Sequence, residues 1–147
     1  MSVPPRTTPG LVQGILNRDY DWKKNPSLEP YIQSASMLVD RVVQYSIDHQ
    51  TGLTGPPLGS VEQEIVERWL AAHFYCMSDI TYMSRSTNGA SGGFFGTSGL
   101  GLDLSRYGQM AKILDTSGAL AAFSKAARAG ATWLGKNAPQ QIPIWER

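Results

Sequence analysis

Soft metal ligands are scarce in this chain: His49, His73 and Cys76 are its only histidines and its only cysteine. A metal site usually draws on two or more such side chains at short spacing. His73 and Cys76 stand three residues apart, which on a helix brings both to one side, but that side also carries Val61, Ile65, Trp69, Ala72, Ile80 and Met83. Apolar company of this kind reads as a core histidine beside a core thiol, and no metal is expected. A hydrolase triad would need a serine framed by G-x-S-x-G beside His73 and Asp79, and that frame is missing. The carboxylates Glu62, Glu64 and Glu67 fall with Arg68 on the opposite, wet side of the same stretch, where charge runs are solvated. No residue is assigned a catalytic role, and the chain is not read as an enzyme.

The other stretch that could do chemistry is NGASGGFFGTSGLGLDL, Asn88 to Leu104, with six glycines in seventeen residues. A phosphate-cradling loop needs a lysine followed by serine or threonine after its second key glycine. No lysine occurs between Lys24 and Lys112, and Gly99-Leu100-Gly101 lacks the third glycine and the preceding strand of a dinucleotide fingerprint. No cofactor is expected. The segment instead carries Phe94, Phe95, Leu100, Leu102 and Leu104 on pliable backbone, which suits an apolar plug for another surface. The competing reading is that the two phenylalanines fold back on their own core.

The elements around these residues are helical. Thr8 with Pro9 opens a short helix running to about Leu16, since proline fits the first helical position. Residues before it, rich in proline and threonine, read as an arm that is flexible or ordered on contact. Tyr20 and Trp22 in the following polar connection have the character of buried aromatics. Ser27 begins a long amphipathic helix of about twenty residues, roughly 30 Å, with Leu28, Tyr31, Ile32, Ala35, Leu38, Val39, Val42 and Val43 on one stripe. After the turn-rich TGLTGPPLGS, Ser60 and Gln63 form a capping box, so a second long helix starts at Val61 and packs antiparallel to the first. Tyr107, Met110, Ala111 and Leu114 mark a short helix, interrupted at Asp115, Ser117 and Gly118 before a small-residue helix from Ala119 to Ala129. Residues 131–147 show no period but hold Trp133, Leu134, Ile142, Ile144 and Trp145. The expected fold is an all-α single domain spanning 1–147. Its helical-bundle core covers about 9–130, with two long antiparallel helices, shorter C-terminal helices, a glycine-rich loop at 86–104 and an extended C-terminal arm.

Composition sets the outer bounds. A chain of 147 residues buries roughly 70% of its unfolded surface and supports a core without staples. A net charge of +1 argues against a dedicated nucleic-acid surface. Residues 1–84 hold six Lys/Arg against nine Asp/Glu (net −3), whereas residues 85–147 hold seven against three (net +4). Opposite charge on the two halves suits head-to-tail association of copies. The single cysteine excludes an internal disulfide and fits a reducing compartment. MSVPPRTTPG has no basic start followed by an apolar run, and no stretch approaches eighteen apolar residues, so neither a secretory signal nor a membrane span is expected.

The order of an amphipathic helix, ERWLAAHFYCM (Glu67 to Met77), a glycine-rich insertion and SRYGQMAKILDTSGAL (Ser105 to Leu120) resembles the head-tail connector or adaptor proteins of tailed bacteriophages. The resemblance is carried by Leu70, Ala71, Ala72 and His73, then by Tyr107, Gly108, Gln109, Ala111, Leu114, Asp115, Ser117, Gly118 and Leu120, and it covers about residues 10–130. It implies a virion protein made in the bacterial cytoplasm. A ring of twelve copies would dock beneath the portal at one capsid vertex, extend the channel for genomic DNA, and receive the tail or another neck protein below. Under this reading Phe94, Phe95, Leu100 and Leu102, with Trp133, Leu134, Ile142, Ile144 and Trp145, are interface anchors toward a neighbouring copy, the portal or the next neck component. No membrane partner is implied. Tyr107 and Gln109 are read first as a core aromatic and a capping amide. The alternative from a different class is a small cytoplasmic helical module that binds an unrelated protein, such as a regulator.

Overall fold

Sequence signals for helix starts translate into the architecture with local shifts in the caps. The computed structural model describes residues 4–23, 27–78 and 100–126. Helix α1 spans Pro9–Leu16, with proline in its first turn and Thr8 extended before it; no Thr8 side-chain bond caps the helix. Helix α2 spans Glu29–Asp48, and the Glu29 amide donates to Ser27 Oγ at 3.3 Å just before Pro30. Helix α3 spans Ser60–Ser78. Helix α4 spans Arg106–Leu114, preceded by a 3₁₀ turn at Leu102–Leu104. Residues 119–126 are also helical, and the described residues contain no strand. The protein is a small all-α bundle.

Pairings along α2 and α3 fix their relative direction. Tyr31 near the start of α2 meets Ser78 at the end of α3 (3.0 Å), and Arg6 ties Asp40 to Glu67 midway along both helices. Rising numbers on one helix therefore meet falling numbers on the other, and the two run antiparallel as the short connection requires. Helix α3 is the axis of the molecule: α1, α2 and α4 all pack against it. The shared core includes Val12, Leu16, Ile32, Val39, Leu70, Tyr75, Tyr107 and Leu120. Each such side chain taken out of water is worth about 1.5–3 kcal/mol.

That central position overturns the one-stripe reading of α3. Helices packed on several sides are buried beyond one face, and here Val66, Glu67, Leu70, Ala71, Ala72, His73, Tyr75 and Cys76 are all buried. Glu67, expected on the wet side, is 0% exposed, whereas Val61, expected in the apolar stripe, is 71% exposed. The capping pair is also shifted by one residue. Glu62 Oε2, not Gln63, accepts from a backbone amide of the entering chain, that of Gly59 at 3.1 Å, while Gln63 Nε2 donates to the Leu58 carbonyl. Trp22 is 64% exposed, because the polar connection carries it past the end of the core; Tyr20 packs partly buried against the core.

Candidate functional site

The two segments that carry the resemblance meet at one junction. Ser105 sits before α4 with extended backbone (φ −131°, ψ 150°), and its Oγ accepts from the Gly108 amide at 3.0 Å, a serine N-cap. The same Oγ lies 2.7 Å from His73 Nδ1 on α3. On the far side of the ring, Nε2 lies 3.2 Å from the Leu100 carbonyl oxygen. A carbonyl only accepts, so Nε2 carries the proton and Nδ1 accepts from the Ser105 hydroxyl. The chain of donors is complete: Gly108 N–H to Ser105, Ser105 O–H to His73, His73 N–H to Leu100. With the residue 0% exposed, burial pushes the His73 pKa below its ordinary value of 6.5, opposed only in part by the Leu100 carbonyl.

Gly108 is what lets the helices approach so closely. A Cβ there would collide with the Leu102 carbonyl oxygen and stand 2.9 Å from His73 Nδ1. Four residues of the second segment close the next turn. Asp115 accepts from the Ser117 amide and hydroxyl through one oxygen and from the Leu120 amide (2.7 Å) through the other. Gly118 turns with φ +73°, and a Cβ on it would meet Thr54 Oγ1 at 2.7 Å, so glycine answers both the backbone angle and the close approach. Tyr107 is a core aromatic whose hydroxyl donates to Asp19, and Arg106 reaches the same carboxylate at 2.6 Å. Burial, then the bond to Asp19, pushes the Tyr107 pKa up. Gln109 Nε2 donates to the Asp103 carbonyl at 2.8 Å and so steadies the 3₁₀ turn. Leu70, Ala71, Ala72, Ala111 and Leu120 are buried, and Leu114 is partly buried against them.

A second polar centre lies farther toward the start of α3. The Arg6 and Thr7 amides both donate to Glu67 Oε1, at 2.8 and 3.1 Å, while the Arg6 guanidinium donates to Oε2 at 3.0 Å. The guanidinium also reaches Asp40 on α2. Burial opposes the charge on Arg6, but the hydrogen bonds to Asp40 and Glu67 outweigh it and raise its pKa. Residues 6 and 7 are therefore anchored to the bundle, where the sequence had suggested an arm.

The surface formed by the described residues offers exposed apolar groups. Ile113 is 74% exposed on α4, and Met110 stands one turn before it. Beside them opens a shallow depression of about 420 Å³ lined by Asp103, Gln109, Lys112, Ile113 and Ala121, and Lys112 pairs with Asp103 at 2.9 Å on its rim. A smaller depression of about 230 Å³ lies on α2 between Ser34, Met37, Leu38 and Arg41.

The anchors expected from the sequence fare unequally. Leu102 is 3% exposed and belongs to its own core, a correction that follows from the 3₁₀ turn folding it back against α4; Leu100 is partly buried against the same core. Phe94, Phe95, Trp133, Leu134, Ile142, Ile144 and Trp145 lie outside the described residues. Among the described residues no cluster of three metal-ligating side chains forms, and no helix is long and apolar enough to cross a membrane. Sequence reasoning missed Arg6, Glu67, Asp19 and Ser105. Ser105 was marked by its place three residues before Gly108, whereas Glu67 carried no local signal of burial. No protein-family model, curated protein or solved structure matches the chain.

Proposed function

We propose that this chain is a structural, non-enzymatic virion protein whose copies form a ring, twelve in number, joining the portal vertex of a phage capsid to the tail. The observation that supports the reading is the junction of α3 and α4. The two segments resembling the connector family pack on each other through His73, Ser105 and Gly108, so they form one built unit. With those residues committed to the interior, the outer face of α4 is left to meet a partner. Met110 and Ile113 supply apolar contact there, and Lys112 and Asp103 a polar rim. This is the anatomy of a small interface patch. Phe94, Phe95 and the aromatic residues of 131–147 are proposed as further anchors toward neighbouring copies, the portal or the next neck protein. DNA passes the ring transiently, with few phosphate contacts per copy, because a channel that gripped phosphates would retard ejection.

Electron microscopy of particles containing this chain tests the reading. A ring of the chain between portal and tail is the expected result, and its absence from the neck refutes the proposal. At residue level, Ile113→Asp leaves the monomer's stability within about 0.5 kcal/mol, as exposed positions do, and reduces incorporation into particles. Incorporation at the normal level would remove α4 from the interface.

A further inference from the structure

We propose that His73 is a proton-operated latch: neutral, it fastens residues 100–105 to α3, and protonated, it lets that stretch and the first turn of α4 open. The inference stands independently of the connector reading. Its basis is the donor chain through Ser105, which is satisfied in one protonation state alone. The neutral ring accepts at Nδ1 and donates at Nε2, matching a hydroxyl on one side and a carbonyl on the other. An imidazolium has two N–H groups and no acceptor. Its new N–H would point at Ser105 Oγ, which already accepts from the Gly108 amide, and the Ser105 hydrogen would lose its acceptor in a site 1% exposed.

Among the described residues, the charged groups around this site are engaged elsewhere. Burial, opposed in part by the Leu100 carbonyl, disfavours the protonated form of His73. On α3, Glu67 is taken by Arg6 and Thr7, and Cys76 is a buried thiol. From α4 and the turn before it, Arg106 and Tyr107 turn to Asp19, and Lys112 pairs with Asp103. On α2, Asp40 holds Arg6, Asp48 accepts from Gln44 and the Tyr31 hydroxyl meets Ser78. Helix α1 contains no titratable side chain. The proton is therefore taken up more readily by an opened stretch than by the closed one, and opening becomes more favourable as pH falls below the ordinary histidine value.

Nuclear magnetic resonance of the full chain with ring-labelled histidine, titrated from about pH 8 to 4.5, is combined with amide hydrogen exchange corrected for its intrinsic pH dependence. In the expected result His73 protonates below the ordinary histidine value of 6.5. Amides of residues 100–108 exchange faster in step with it, their opening constant rising about tenfold per pH unit between the ordinary histidine value and the His73 midpoint, while α2 stays protected. His73→Gln abolishes that rise. Should the glutamine variant fail to fold, Ser105→Ala decides, since loss of the hydroxyl donor moves the opening to higher pH. The latch is refuted if His73 protonates without faster exchange at 100–108, if α2 opens in the same step, if His73→Gln keeps the pH response, or if Ser105→Ala leaves the midpoint where it was.

Discussion

Helix α3 carries two buried polar centres six residues apart, about 9 Å along the axis, and they are built on opposite principles. At Glu67 the helix buries a full charge and surrounds it with two amides and a guanidinium brought from residues 6 and 7. At His73 it buries a neutral ring whose partners are a hydroxyl and a carbonyl. A buried charge depends on every one of its partners, since removing one leaves the rest desolvated and unpaired, whereas a neutral ring in a matched pair of bonds risks only those bonds. The ionic centre therefore holds the N-terminal segment with large forfeits for any change. The neutral centre holds residues 100–105 more lightly and responds to protons.

Mutations that unbalance the two centres sharpen this contrast. Glu67→Ala strips the acceptor from both amides and from Arg6, and is expected to lower stability by about 3–5 kcal/mol, read from urea denaturation; a loss comparable to an exposed-site mutation would erase the distinction. Gly108→Ala forces a methyl group against the Leu102 carbonyl and His73, with an expected loss of about 1–3 kcal/mol and faster amide exchange in α4. A neutral result there would mean that α3 and α4 approach less closely than described. Tyr107→Phe removes a single donor to Asp19 and is expected to lower stability by about 1 kcal/mol in the same denaturation series, the smallest of the three.

Which parts of this were legible in the sequence follows from how far apart the partners lie. Helix α2 could be read because it buries one side, so its stripe from Ile32 to Val42 coincides with the observed core. The starts of α1 and α2 were marked by Pro9 and by Ser27, whose effects act within two residues. The turn at Asp115, Ser117 and Gly118 was likewise visible, because its hydrogen bonds close within five residues. Helix α3 misled the one-stripe rule because three neighbours surround it, a property of the assembled bundle. Glu67 could not be told from a solvated carboxylate, since its partner Arg6 stands sixty-one positions away. The pairing of His73 with Ser105 was hidden for the same reason: thirty-two residues separate them, and no local rule links a histidine to a serine cap on another helix.

The contact between Gly101 and α3 has a consequence for evolution and engineering. Gly101, in the left-handed region at φ +62°, faces back toward the last turn of α3, and the Met77 methyl lies 3.5 Å from where a Cβ on Gly101 would stand. A side chain at position 101 would also meet Leu104 Cδ1 at 3.2 Å, on a backbone angle that favours glycine, so variation at this position is expected to be narrow.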